Sequence, residues 1–557
     1  MDRRLVLAIG LMLIVAVLPS ILFPPKRPVA PIEPQPVSDS TPAPGEDTVA
    51  ERVAEAAAPP VVPAPVPEQR EDTVTQMVEQ DSVVVESDLY RYVFSTVGAR
   101  LLTASIKMYP SFAPGESGPA QLIPKNSRFF QHSMVFGADT VSLADWTFLP
   151  SRMEVAVGDA VETVEWTAQR GTMTVKLVQS FQPDQFMFDV QGSVTGGPTD
   201  AGLVLVSMGP RLRLVEADSV WDFRNYAVVT KARSIERTAF RSLDPGERQE
   251  IGGPLDWVAY KSRYFAVAVL TVDEALPRIG AAIVTGGPRV DRYAKEADLR
   301  ISLPAPAGQF SYRVYLGPQE VRFLSRVGHD LQDMNPYGWF LRPIIQPIAN
   351  IVARILVWMH ETMRVQYGWV LILFGVAVRV VMWPLNQKAM HSSMAMQAIQ
   401  PEIKAVQEKY KGDSQRLQQE TMKLYREHGV NPLGGCLPML LPMPVLFALF
   451  FVFRETIEFR GVPFLWIPDL SRSDPLYIIP VVMGLSMYVV SKLGQRGVPP
   501  NPQSKMMLYF MPVMLTVLFF RFAAGLNLYY AVSNIASIPQ QWMISEKRLQ
   551  RVGKRPK

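Results

Sequence analysis

An arginine stands inside an apolar run of membrane length. The segment from Tyr367 to Leu385 contains FGVAVRVVMWPL (374–385), and Arg379 falls within it. A charge near mid-span costs on the order of 2.5–3.5 kcal/mol on insertion scales, so it faces a watery cavity or a partner. None of the chain's apolar spans contains Asp or Glu. That excludes a buried ion pair and a carboxylate proton relay. Two readings remain: a fixed positive charge in a polar cavity that meets something anionic and transient, or a side chain that snorkels to an interface or caps backbone carbonyls in the bundle.

The last apolar span supplies a polar stripe. In GLNLYYAVSNIASIPQQWM, Asn527, Tyr530 and Asn534 recur at i, i+3 and i+7, with Ser533 and Ser537 beside them. Such a stripe lines a cavity or binds helices together. Pro438, Pro442 and Pro444 in LPMLLPMP bend the third span and leave backbone groups for protein or water to satisfy. Met483 and Met487 stand one turn apart on the fourth. Catalytic signatures are missing: HETMR (360–364) lacks the second His of a zinc-protease helix, no G-x-S-x-G or P-loop occurs, and the five His are scattered. The chain reads as a non-enzyme without metal or cofactor.

These residues need a scaffold, and the 557-residue chain, 48% apolar, divides clearly. Leu5 to Phe23 is free of charge, and its exit VLPSILFPP lacks small residues for cleavage, so 1–23 reads as a retained signal anchor and not a cleaved leader. Residues 24–80, rich in Pro, Ala and Glu, form an extended tether. From 81 to 326, alternating segments such as TVKLVQSF and FSYRVYLG between Gly, Pro and Asp turns predict an all-β sandwich. The remaining spans fall at about 367–385, 433–453, 476–490, 506–520 and 525–544, which with the anchor makes six. The fold class is an α-helical transmembrane bundle with a large all-β domain between its first and second spans.

Lys388, Lys404, Lys409, Lys411, Arg416, Lys423 and Arg426 in the 386–430 loop, Lys492, Arg496 and Lys505 in the next, and the basic tail 545–557 all fall on one side. That side is the cytoplasm, so both termini are inside and the β domain outside. The lone Cys436 can form no intramolecular disulfide. Residues 340–361 place Ile344, Ile348, Ile351, Ile355 and Met359 on one face, as an interfacial amphipathic helix or as one packed on the β domain. The 386–430 loop predicts a charged helical hairpin with a stop and N-cap at Gly412-Asp413.

VRVVMWPLNQKAM (378–390), VNPLGGCLPMLLPMP (430–444), FMPVMLTVLFF and GLNLYYAVSN together resemble the YidC membrane protein insertases of the YidC/Oxa/Alb family, in the Gram-negative form. The resemblance covers the whole chain in order. It implies a five-helix insertase core at 367–544, a periplasmic β supersandwich similar to sugar-mutarotase folds, and an inner-membrane location. It further implies that Arg379 lines a hydrophilic groove, open to the cytoplasm and lipid, that receives the polar end of a nascent membrane protein while its apolar helix leaves along the third and fifth spans. Tyr530 matches a groove aromatic, Met483 and Leu446 match positions near the substrate's exit, and the 386–430 hairpin matches a loop required for insertion. Pro442 and Gly375 depart from the family's polar choices, with Asn527 offered as compensation. The implied partners are nascent membrane proteins, the Sec translocon, the ribosome and the lipid bilayer. The basic tail suits ribosomal RNA, anionic lipid or simple topological anchoring.

Two other classes fit parts of the sequence. A polytopic solute transporter would be expected to show paired repeats with broken helices, and the unequal halves show none. A membrane-anchored carbohydrate-binding protein would act through a cleft of acids and aromatics in the β domain.

Overall fold

The computed structural model describes residues 82–197, 201–272, 278–290, 293–335, 337, 341–430, 443–496 and 505–553. The signal anchor, the tether, Pro438, Pro442 and Cys436 lie outside the described residues.

The alternating segments form strands as their period dictates. In Met173–Phe181 the residues Met173, Val175, Leu177, Gln179 and Phe181 are buried and the intervening ones are more exposed. A nine-stranded sheet runs from Ile235–Ala239 through Trp257–Lys261, Phe265–Leu270, Gln309–Pro318 and Met187–Thr195 to Leu149–Pro150. A six-stranded sheet and a five-stranded sheet accompany it. Phe94 of the five-stranded sheet meets Trp166, Phe181 and Phe188 of the nine-stranded one at centroid distances of 5.9–6.4 Å, which locates the core between them. Trp257–Lys261 and Phe265–Leu270 are buried on both faces. Their near-continuous apolar sequence follows from that, since a strand covered on both sides has no solvent face to make polar.

Helix α1 (Ser219–Asn225) starts on Asp218, whose carboxylate accepts from Trp221 N, and α2 (Val321–Val327) follows the last long strand. The chain then enters the helical part through α3 (Arg342–Met363) and α4 (Tyr367–Ala398). Helix α3 packs on the helix Met443–Glu455. Ile345, Ala349, Val352 and Leu356 are buried, whereas Ile344, Ile351, Ile355 and Trp358 are exposed.

The β domain and the helices are joined by polar groups. Lys261 Nζ donates to Asn335 Oδ1, Asn335 Nδ2 to Gln319 Oε1 at 2.9 Å, and Gln346 of α3 donates to Asn335 O at 3.3 Å. Burial pulls the Lys261 ammonium down to about 7. Asp222 of α1, which accepts from Arg263 N, is pushed up to about 6 by burial.

Helix α4 continues past the expected span end at residue 385, with Pro384 inside it. Proline withholds one donor and disturbs one turn. On the facing helix, Gln540 Nε2 donates to the Trp383 carbonyl at 3.2 Å.

The hairpin belongs to a separate compact unit. Helices α5 (Gln400–Lys409) and α6 (Ser414–Glu427) fold back so that His428 comes within 3.4 Å of Glu402. Asp413 caps α6 by accepting from Arg416 N at 3.0 Å.

In the bundle, α7 (Met443–Glu455) is followed by α8 (Ile478–Gly494), a π-helical turn at Met506–Phe510, α9 (Met511–Phe519) and α10 (Ala524–Gly553). Helix α10 carries on beyond residue 544 into the segment read as tail. Arg548, buried, donates from Nη1 to Gly494 O at 2.6 Å and to Arg496 O at 3.1 Å, so this basic residue satisfies carbonyls at the end of α8.

Candidate functional site

Arg379 lies on α4 one turn after Gly375. A Cβ on Gly375 would stand 3.2 Å from Val532 Cγ1, so the glycine lets α4 and α10 approach closely. The guanidinium then reaches α10: Nε donates to Ser533 O and to Ser533 Oγ, each at 2.9 Å. The side chain is half-buried, and its two terminal nitrogens take no partner among the described residues. Capping of a carbonyl and availability for another group are therefore combined in one arginine.

The polar stripe of α10 is tied into its neighbours. Asn534 Nδ2 donates to Ser486 Oγ on α8 at 3.2 Å, and Ser486 Oγ donates to Met483 O at 2.7 Å. Ser537 Oγ donates to Asn534 O at 2.6 Å. Ser533, Asn534, Ser537 and Met483 are all buried. Tyr530 is half-buried and its ring lies 6.1 Å from that of Phe519 on α9. Leu446 is buried on α7.

Asn527 departs from expectation. It is fully buried, and its Nδ2 donates to Phe519 O at 3.0 Å, which clamps the turn between α9 and α10. The cause is its place in the first turn of α10, directly beneath the end of α9. Gly375 is itself packed on Val532 and Tyr529.

Sequence reasoning missed Ser486 and Gln540. Both carried a signal: Ser533, Ser537 and Gln540 continue at helical spacing, and Ser486 sits between the two methionines of the fourth span.

Helix α9 packs on α8, and α7 packs on α3 and α10. Phe522, in the α9–α10 turn, bridges α7 and α9, with Phe450 at 5.4 Å and Phe519 at 4.8 Å.

Comparison with known proteins settles the family. Residues 82–351 match the family model described as YidC periplasmic domain, and 358–551 match that of the 60Kd inner membrane protein. A membrane protein insertase YidC of Ralstonia nicotianae is 30% identical over 488 residues, 85% of this chain and 84% of that protein. The chain belongs to the YidC membrane protein insertase family. Its relative from Syntrophus aciditrophicus, also a YidC insertase, is 28% identical over 84% of this chain and 86% of that one. The crystal structure of an active YidC insertase with its first transmembrane domain resolved is 19% identical, covering 83% of this chain and 92% of that one at a TM-score of 0.35. The YidC family places the chain among inner-membrane proteins with a periplasmic domain, the helical and β parts described above.

Proposed function

We propose that this chain inserts nascent inner-membrane proteins by receiving a polar, often acidic, segment at Arg379 while the apolar segment leaves between α7 and α9. The observation that carries this reading is the state of the Arg379 guanidinium. Ser533 fixes its Nε edge, and its two terminal nitrogens are without a described partner. That fork matches a carboxylate, which accepts two parallel N–H bonds from arginine. Tyr530, Ser533, Asn534, Met483 and Leu446 form the surrounding walls, with Asn527 holding the α9–α10 turn that backs them.

The short helices support the same reading. Helix α8 has 17 residues, which is about 25 Å at 1.5 Å per residue, against roughly 30 Å of hydrocarbon. A shorter apolar path lowers the cost of moving a polar segment across. Both termini, the hairpin and the tail are assigned to the cytoplasm by their lysines and arginines, and the β domain to the periplasm. The Sec translocon and the ribosome are its proposed working partners, with the end of the basic tail available to ribosomal RNA or anionic lipid.

The test is depletion of a host's own insertase, complemented with wild type, Arg379→Ala or Arg379→Lys, scoring translocation of a short acidic periplasmic segment. Lys is expected to work and Ala to fail. Equal function of all three would make Arg379 a helix-packing residue only.

A further inference from the structure

Between α7 and α8 the chain carries the segment PFLWIP, 463–468. Phe464 N donates to Ile467 O at 2.8 Å and Ile467 N to Phe464 O at 2.9 Å, closing a tight turn with Leu465 and Trp466 at its tip. Leu465 has φ +53°, a left-handed conformation that a branched apolar side chain rarely adopts. It is 68% exposed, and Trp466 is 38% exposed. An apolar tip held in a strained turn and turned outward has no packing explanation among the described residues.

The base of this finger is rigid. Trp466 Nε1 donates to Asp474 Oδ1 at 3.1 Å. Asp474, fully buried, also accepts from Leu476 N at 3.0 Å and Ile479 N at 2.8 Å, so the finger is tied to the first turn of α8. The Phe464 ring covers Gly368 of α4, where a Cβ would stand 2.0 Å from it, and meets Trp369 edge-on at 5.6 Å.

The neighbours name the occupant. Trp369 is 52% exposed on α4, and Tyr477, exposed, precedes α8. Trp358 is 63% exposed on α3, whose end is brought beside α4 by the His360–Tyr367 stack at 4.0 Å. Exposed aromatics on α3, on α4 and at the start of α8 make an interfacial belt, and the finger is continuous with it. A protein partner would need its patch gathered on one side.

We propose that residues 463–468 form a membrane anchor whose Leu465-Trp466 tip inserts among the lipids of the periplasmic leaflet. Its indole N–H is already satisfied by Asp474, so both tip side chains enter as apolar groups. This rests on the reading of α4 and α8 as membrane spans.

The test uses the full chain with Cys436→Ser, reconstituted in vesicles of phosphatidylcholine and phosphatidylglycerol, with a nitroxide at Leu465→Cys. Val380→Cys on α4 is the lipid reference and Val161→Cys in the β domain the water reference. Collision with oxygen several-fold above collision with a water-soluble nickel chelate at position 465, as at 380, supports the anchor. Preference for nickel at 465 with 380 still oxygen-accessible overturns the anchor and leaves the spans intact. Low access to both at 465 overturns it in favour of a protein contact, and nickel access at 380 overturns the span reading itself. Independently, acyl-chain-brominated lipid is expected to quench a larger share of fluorescence in wild type than in Trp466→Phe; equal shares would count against insertion.

Discussion

Arg379 and Arg460 are both arginines held away from bulk water, and the chain treats them differently. Arg460, in the loop after α7, is buried; its Nε donates to Glu216 Oε1 at 2.7 Å, its Nη2 to Val215 O at 3.2 Å, and it lies 4.3 Å over the Phe112 ring. Arg379 is half-buried and among the described residues hydrogen-bonds only to Ser533. The first charge is consumed by structure, joining the β domain to the helices. The second is oriented by structure through its Nε edge alone.

Breaking that contrast at Arg460 carries the largest expected effect. Removing one partner of a buried pair leaves the other uncompensated, so Glu216→Ala should cost about 3–5 kcal/mol, read as a fall in thermal stability of the purified protein. Arg379→Ala should cost less than about 1 kcal/mol of stability, because Ser533 keeps a backbone bond in α10. Its insertion of acidic segments should nevertheless fall about tenfold or more, the equivalent of about 1.4 kcal/mol of lost attraction. A stability loss as large as that of Glu216→Ala would abolish the distinction between the two arginines.

The junction also predicts a pH dependence. Lys261, folded near 7 and ordinarily near 10.5, binds fewer protons folded than unfolded between those values, so its contribution makes stability rise with pH from about 7 to 9. Asp222, folded near 6 and ordinarily near 3.8, binds more protons folded, so the stability it lends is present below 3.8 and is lost as pH rises through 6. Melting temperature against pH should therefore dip between these limbs, and Lys261→Met should flatten the alkaline one. The smallest effects belong to local groups. Asn534→Leu should loosen the α8–α10 contact by about 1 kcal/mol, and Asp413→Ala should cost the hairpin about 1 kcal/mol of helix, visible as faster amide exchange at α6.

Much of the site was legible because helical spacing is a property of one segment. Arg379 within its apolar run, the stripe of Asn527, Tyr530, Ser533 and Asn534, and the Gly412-Asp413 stop could all be read without knowing any neighbour. The alternation of Met173–Phe181 likewise announced a strand with one covered face. Legibility ended where a role depended on the opposing surface. Asn527 and Asn534 belong to the same stripe, yet one clamps the α9–α10 turn and the other bonds Ser486. Spacing gives a face, and only the helix lying against that face says whether the polar group meets carbonyl, hydroxyl or open space.

What the sequence determined by itself was local: which segments are apolar enough to span, which alternate as strands, where a charge interrupts them, and, through its motifs, the insertase family. Tertiary structure alone decided the pairings. Arg460 and Glu216 stand 244 positions apart, and Arg379 and Ser533 stand 154 apart. No periodicity connects such distant residues. Hydrogen bonds and desolvation act over a few ångströms, so which arginine meets a carboxylate and which meets a serine is fixed only when the chain has brought its surfaces together.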